Sequence, residues 1–322
     1  MVQKSETNLA ARLSQLRFLV PLAGLCCFLW GSATPSIKIG YQLFSVDTTD
    51  TWSIILFAGI RFFLAGFLVL AFRALSAKAW PMPPKGAGGN ILVLALCQTV
   101  LQYFFFYIGL ANSTGVHGAI LTGTGVFFSM LAAAFLFHYE RLDGRKLFGC
   151  VLGFAGIILI NLSGDFTKGL FQASIMGEGF VLLSQFFYAL SGAFMKTYGK
   201  RFDVAVLSGY QFMLGGAMLA AVGFLCGGRI GMGASAGAYV LLLYLAMISA
   251  VAYTLWGLLL KYNPVSRVAI FGFMNPVFGV LLSALFLGES GQAFSWNALA
   301  ALVLVCLGIL VVNRTPKGAS EN

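Results

Sequence analysis

Apolar stretches of about 20 residues, each closed by a short polar link, follow one another along almost the whole chain. A helix rising about 1.5 Å per residue needs about that many residues to cross the ~30 Å hydrocarbon core of a bilayer. The pattern predicts five spans at Arg17–Lys38, Trp52–Phe72, Asn90–Ala111, Gly115–Phe137 and Lys146–Leu162. Five more follow at Ile175–Lys196, Ala205–Cys226, Ala238–Lys261, Ser266–Leu287 and Trp296–Val312. The expected fold class is an all-α polytopic membrane protein of ten helices. Residues 1–16 and 314–322 read as polar tails, and no link is long enough to fold as a soluble domain. Basic residues ahead of the first apolar stretch resemble a signal peptide. Its counterpart at Ile175–Lys196 lies deep inside the chain, so both read as mature spans.

The pattern is also written twice. Leu101–Leu110 (LQYFFFYIGL) is echoed by Val251–Leu260 (VAYTLWGLLL), which sets Tyr103 against Tyr253 and Phe106 against Trp256 at an offset of 150. The same offset aligns Gly59-Ile60-Arg61-Phe62…Gly66 with Gly209-Tyr210-Gln211-Phe212…Gly216, and Ala119-Ile120 with Ala269-Ile270. A slightly different offset pairs Trp30 with Tyr188 and Lys38 with Lys196. The two units, 17–162 and 175–313, are joined by an extracytoplasmic linker, 163–174. Each holds five helices, and an odd number inverts the second unit relative to the first. Inverted repeats are common in secondary transporters, with the substrate site near mid-membrane between them.

Charge places the spans in the membrane. Sixteen of the twenty Lys and Arg residues fall in tails or alternate links on one side, and Lys38, Lys168 and Arg229 on the other. That bias puts both termini in the cytoplasm, across the plasma (cytoplasmic) membrane. It also accounts for the net charge of +10 without nucleic acid as a partner. With 59% of its residues hydrophobic and 9% charged, the chain lies far from soluble proteins, where about a quarter are charged. The six cysteines sit in apolar segments without C-x-x-C spacing, so they read as small buried hydrophobes.

Several motifs now stand in order: Phe28-Leu29-Trp30-Gly31-Ser32…Lys38, Arg61-Phe62, Leu287-Gly288-Glu289, and the terminal runs Gly156…Asn161 and Gly308…Asn313. In these, from about Arg17 to Asn313, the chain resembles the drug/metabolite transporter superfamily and its EamA-type ten-helix carriers. The resemblance implies a carrier or exporter of small metabolites, with helices 1–4 and 6–9 around a central cavity and helices 5 and 10 at the periphery. Two positions depart from the family pattern. His138-Tyr139-Glu140 replaces Leu-Gly-Glu, and Phe127 stands where the second half has Pro276, so the first half is expected to lack a kink.

The candidate substrate-binding residues are Trp30, Arg61, Gln98, Gln102, Tyr103, Phe106, Gln185, Tyr188, Tyr253, Trp256 and Asn275. Arg61 is a charge near mid-membrane with no acid at similar depth, which suits a substrate carboxylate or a structural tie between helices. Tyr103 with Phe106, and Tyr253 with Trp256, share a helix face at i, i+3, and hydroxyls at mid-depth need partners. They line a cavity or pack helices. The amides of Gln98, Gln102, Gln185 and Asn275 must face the bundle interior, as cavity lining or as interhelical glue. Pro35 and Pro276 are candidate kinks or gates, since proline removes a helix hydrogen bond.

Other polar groups read as structural. Glu140 and Glu289 are expected to cap the following helix or to pair with a neighbour such as Arg145, while Lys38 and Lys196 snorkel at helix ends. His117 and His138 stand alone near helix ends. Glu178 suits a helix N-terminus and is a candidate proton site.

These residues predict a transporter, acting as an exporter, for small neutral or zwitterionic metabolites such as amino acids or nucleosides. Alternating access would proceed around an aromatic and amide-lined cavity. A phosphate carrier would need several inward Lys or Arg residues. The ten scattered acids argue against an enzyme. No catalytic group, cofactor or metal is expected. The partners are a small-molecule substrate and membrane lipid, with a homodimer left open. Two alternatives stand: a proton-coupled multidrug-type efflux carrier, and a non-transporting membrane scaffold or receptor.

Overall fold

The computed structural model describes residues 10–112, 121–161, 175–231, 235–287 and 296–314. The expected linker 163–174, the start of the fourth span with His117, Glu289 and most of both tails lie outside the described residues. Helix accounts for nearly all of the described residues, and none of them is in a strand. The first-half helices are α1 (Leu16–Leu43), α2 (Thr51–Ala77), α3 (Gly88–Ala111), α4 (Thr124–Leu136) and α5 (Gly144–Asn161). They are followed by α6 (Ile175–Gly199), α7 (Val204–Leu225) and α8 (Ala236–Tyr262). Next come α9 (Val265–Ala269, Ile270–Phe273 and Met274–Leu287 in succession) and α10 (Trp296–Asn313).

Among the described residues six helices, α1, α2, α3, α6, α7 and α8, are long and apolar enough to cross a membrane, and shorter apolar helices accompany them. Phe63, Phe67, Phe148, Val303 and Leu310 point outward from the bundle. So broad an apolar surface would associate in water and is the natural surface toward lipid.

Helix starts are set by carboxylates. Asp50 accepts the N–H groups of Trp52 and Ser53 at 3.0 and 3.2 Å at the head of α2. Asp203 accepts those of Ala205 and Val206 at 2.8 and 3.2 Å at the head of α7. Asp203 also pairs with Arg73 at 3.2 Å, but both side chains are 40% exposed, so the cap outweighs the ion pair. Asp203→Ala is expected to lower stability by about 1 kcal/mol, read as a lower thermal midpoint in detergent.

The closest packing joins repeat mates. α2 lies along α7, and α5 along α10. Between α2 and α7 a Cβ on Gly59 would meet Ala220 and Gly216, while one on Gly216 would meet Phe63 and Gly59. Gly66 and Gly209 likewise face each other. The same exchange joins α5 to α10: Gly149 faces Gly308 and Val312, and Gly156 faces Ala301 and Val305. Lipid tails are as apolar as leucine, so membrane helices gain from backbone approach where small residues permit it. The remaining contacts cross over in the same way, with α1 against α8 and α9, and α6 against α3 and α4.

Local departures from α geometry mark several helices. α3 contains a π stretch at Ala95–Leu101, immediately before Gln102 and Tyr103. α9 tightens into a 3₁₀ turn at Ile270–Phe273, just before Pro276, whose ring would clash with the carbonyl four residues back. The first half was expected to lack this irregularity, yet its helix breaks into a turn at Gly123, the counterpart of Phe273 at the offset of 150. Pro35, by contrast, sits inside an α1 that runs unbroken from Leu16 to Leu43.

α1 continues past its predicted end, so the exposed Lys38 lies within the helix and not at its terminus. Lys196 does not snorkel. It is 8% exposed and donates to the carbonyls of Leu260 and Asn263, at 2.7 and 2.5 Å, satisfying the end of α8. Glu140 pairs with Lys146 at 2.7 Å, whereas Arg145 approaches Asp143 at 4.0 Å. Glu140 also accepts the Ser266 N–H at 2.8 Å and the Ser266 hydroxyl, so it caps α9 and not the helix that follows it. Cys226 and Cys306 are exposed, unlike the buried Cys26, Cys27 and Cys150, because they lie at a helix end and on an outward face.

Candidate functional site

Four aromatic side chains close a ring where both halves meet. Phe62 on α2 stacks on Phe212 of α7 with centroids 5.5 Å apart and planes within 15°. Tyr103 on α3 packs on Phe62 at 4.4 Å, and Tyr253 on α8 packs edge-on against Phe212 at 5.2 Å. The hydroxyls of Tyr103 and Tyr253 then hydrogen-bond to each other at 2.5 Å. Both contacting pairs, 62 with 212 and 103 with 253, are repeat mates. The phenols thereby find partners within the bundle, as hydroxyls away from water require.

Trp30 extends the ring, with centroids 5.0 Å from both Tyr253 and Trp256. Tyr188 reaches Trp256 from α6. Gln102 lies beside the Tyr253 hydroxyl. Arg61 is 4% exposed, with its guanidinium carbon 4.5 Å from the Phe62 centroid and 6.0 Å from that of Tyr103. The neutral phenols of Tyr41, Tyr103, Tyr107 and Tyr253 lie around it. Aromatic faces are negative, so they hold the cation where no carboxylate does.

Several buried polar atoms around this ring have no hydrogen-bond partner among the described residues. The donors are Trp30 Nε1 and Arg61 Nε, and the acceptor is Gln102 Oε1; Asn275 Oδ1 on α9 also lacks a partner among the described residues, without a contact that places it at the ring. Buried polar atoms are nearly always satisfied, so a group of orphans at one place marks where another molecule can supply the missing partners.

Other predicted residues go elsewhere. Gln98 accepts from Gln211 Nε2 at 3.3 Å, and Thr99 donates to Gln211 Oε1 at 2.8 Å, a chain that ties α3 to α7. The π turn separates it from Gln102: where bonds run i to i+5, residues four apart no longer stand one above the other. Gln185 donates to Ser184 at 3.2 Å and packs against Gly125 of α4. Phe106 turns toward Tyr103 and Tyr107 of its own helix. Gln98→Leu is expected to cost roughly 1–3 kcal/mol in stability by orphaning Gln211, with transport per folded molecule unchanged. Thermal unfolding and a transport assay on the same preparation separate the two effects.

Phe62 and Phe212 are absent from the sequence-based site. Their signal was an identical residue at the repeat offset in both halves, which marks positions able to meet across a two-fold relation.

The pattern that defines the EamA-like transporter family matches residues 18–162 and again 175–314. The chain belongs to the EamA-like transporter family. As an EamA-type transporter it is 27% identical over 313 residues to the uncharacterized inner membrane transporter YedA of Escherichia coli (strain K12), covering 91% of this chain and 93% of YedA. It is 26% identical over 309 residues to a probable amino-acid metabolite efflux pump of Salmonella typhimurium (strain LT2), covering 90% of this chain and 93% of the pump. A solved crystal structure shares the fold with a TM-score of 0.73 at 16% identity, over 93% of this chain and 97% of that one. These relatives and the apolar helices establish a multi-pass membrane transporter.

Proposed function

We propose that this EamA-type transporter exports small zwitterionic or neutral metabolites, amino acids foremost, by alternating access of two inverted five-helix halves. The halves are 17–162 and 175–313, with ten helices in all and both termini in the cytoplasm of a cell whose cytoplasmic membrane holds the protein. The single observation that carries the reading is the aromatic ring of repeat mates, with orphaned donors and acceptors around it. A two-fold relation requires that if one residue meets the mate of a second, the second meets the mate of the first. Gly59 with Gly216, and Gly66 with Gly209, satisfy that requirement. Residues on such an axis meet their own mates, as Phe62 and Tyr103 do.

An amino acid suits the site chemically. Its carboxylate matches the Arg61 and Trp30 donors, its ammonium matches amide oxygens such as that of Gln102, and its side chain matches the aromatic faces. The Salmonella relative, a probable amino-acid metabolite efflux pump, agrees with this class.

The test is counterflow in proteoliposomes preloaded with one metabolite at a time, following labelled amino acids and nucleosides with and without a pH gradient. Accelerated exchange of amino acids is the expected result. Exchange confined to nucleosides, or none across the panel, would overturn the substrate assignment. Dependence on the gradient would direct attention to Glu178.

A further inference from the structure

A cavity of about 480 Å³ lies away from the aromatic ring, among the α4–α5 link, the end of α6, the α8–α9 link and the end of α10. Its walls carry six cations, Arg145, Lys146, Lys196, Lys261, Arg267 and Arg314, against two acids, Glu140 and Asp143. Both acids are engaged, Glu140 by Lys146 and Ser266, and Asp143 by Arg145. Lys196 is held by two backbone carbonyls. Lys261, Arg267 and Arg314 make no ion pair among the described residues. Among the described residues Arg267 reaches the Asn313 carbonyl, at 3.5 Å, and Lys261 lies over the Tyr262 ring at 5.2 Å. Two deeply buried amides, Asn263 and Asn313, complete the wall, each with its nitrogen donating to a backbone carbonyl of its own helix.

We propose that this cavity is a binding site for a phosphate-bearing anion, set at the helix ends where spans meet the polar interface. Among the described lining residues the cations outnumber the acids by four, and such a surplus in a half-open cavity attracts an anion more strongly than the same charges spread over a surface. Arginine forks suit phosphate oxygens, and the headgroup of an anionic phospholipid reaches this depth. The cavity is built from segments of both halves, so an occupant bridges them. It favours the arrangement described here over any in which the α4–α5 and α8–α9 links separate.

The test uses the full chain, purified in detergent and stripped of lipid. Native mass spectrometry compares retention of phosphatidylglycerol with phosphatidylcholine, and thermal unfolding compares added phosphatidylglycerol with inorganic phosphate. Wild type is expected to retain phosphatidylglycerol preferentially. Arg267→Gln with Arg314→Gln is expected to weaken that retention about thirtyfold, from about fivefold per cation lost at the interface. Lys78→Gln with Lys85→Gln, an equal loss of charge outside the cavity, is expected to leave it unchanged. Stabilisation by inorganic phosphate alone, lost in the cavity variant, supports the site with a soluble anion as occupant. Equal retention of both lipids, or equal loss in both double variants, overturns it. Should the arginine pair fail to fold, Lys261→Gln, on the rim, makes the same comparison.

Discussion

Gly216→Leu is expected to remove most of the folded protein, the largest effect of any single change in the bundle. A Cβ at residue 216 would stand 2.3 Å from the Phe63 nitrogen and 2.8 Å from the Gly59 carbonyl oxygen. Both are backbone atoms, so no side chain can swing aside, and α2 and α7 must part. Their separation would open the Phe62–Phe212 stack one turn away and with it the aromatic ring. Overpacking of well-packed cores typically costs 1–3 kcal/mol, and a clash with backbone at an intimate helix crossing belongs above about 3 kcal/mol. The yield of monodisperse protein after detergent extraction measures this directly. Gly88→Leu, where a Cβ meets nothing within 4 Å, is the control and is expected to fold normally.

Tyr253→Ala and Trp256→Ala are expected to reduce transport about 5- to 30-fold while leaving the protein folded. Tyr253 closes the ring through Tyr103 and Phe212 and supports Trp30, so its loss removes both a hydroxyl and a wall. Loss of one to two kcal/mol of substrate interaction corresponds to about 5- to 30-fold in affinity. Arg61→Gln separates two roles for the buried cation. A carboxylate anchor predicts loss of amino-acid exchange in a folded protein, whereas a helix tie predicts loss of folded protein itself. Full activity in well-folded Tyr253→Ala and Trp256→Ala variants would sink the site assignment.

Much of this architecture was legible because membranes impose simple rules on sequence. Apolar length located the helices, and the Tyr103/Tyr253 echo identified two residues that the fold brings into contact. The offset of 150 sets Gly59–Gly66 against Gly209–Gly216, yet that alignment alone does not say that such glycines face each other. That follows only when the halves are docked. The destinations of Gln98 and Gln102 were hidden by the π stretch, which alters the turn without any proline or glycine to announce it. Glu140 pairs with a basic neighbour as expected, but the helix that it caps was not foreseen, and Lys196 was misjudged, because a charge near a predicted helix end looks the same whether it faces water or another helix terminus. The fold supplies what one-dimensional patterns lack: which ends of non-neighbouring helices lie together.

The metabolite is expected to bind at the Trp30–Tyr253–Trp256 cluster. Intrinsic tryptophan fluorescence of the purified protein, titrated with the metabolite that supports counterflow, tests it most directly. The account predicts a saturable change that is largely lost in Trp256→Phe, because two of the chain's five tryptophans stand at the site. Undisturbed fluorescence at concentrations that sustain exchange would contradict it and place the substrate elsewhere in the bundle.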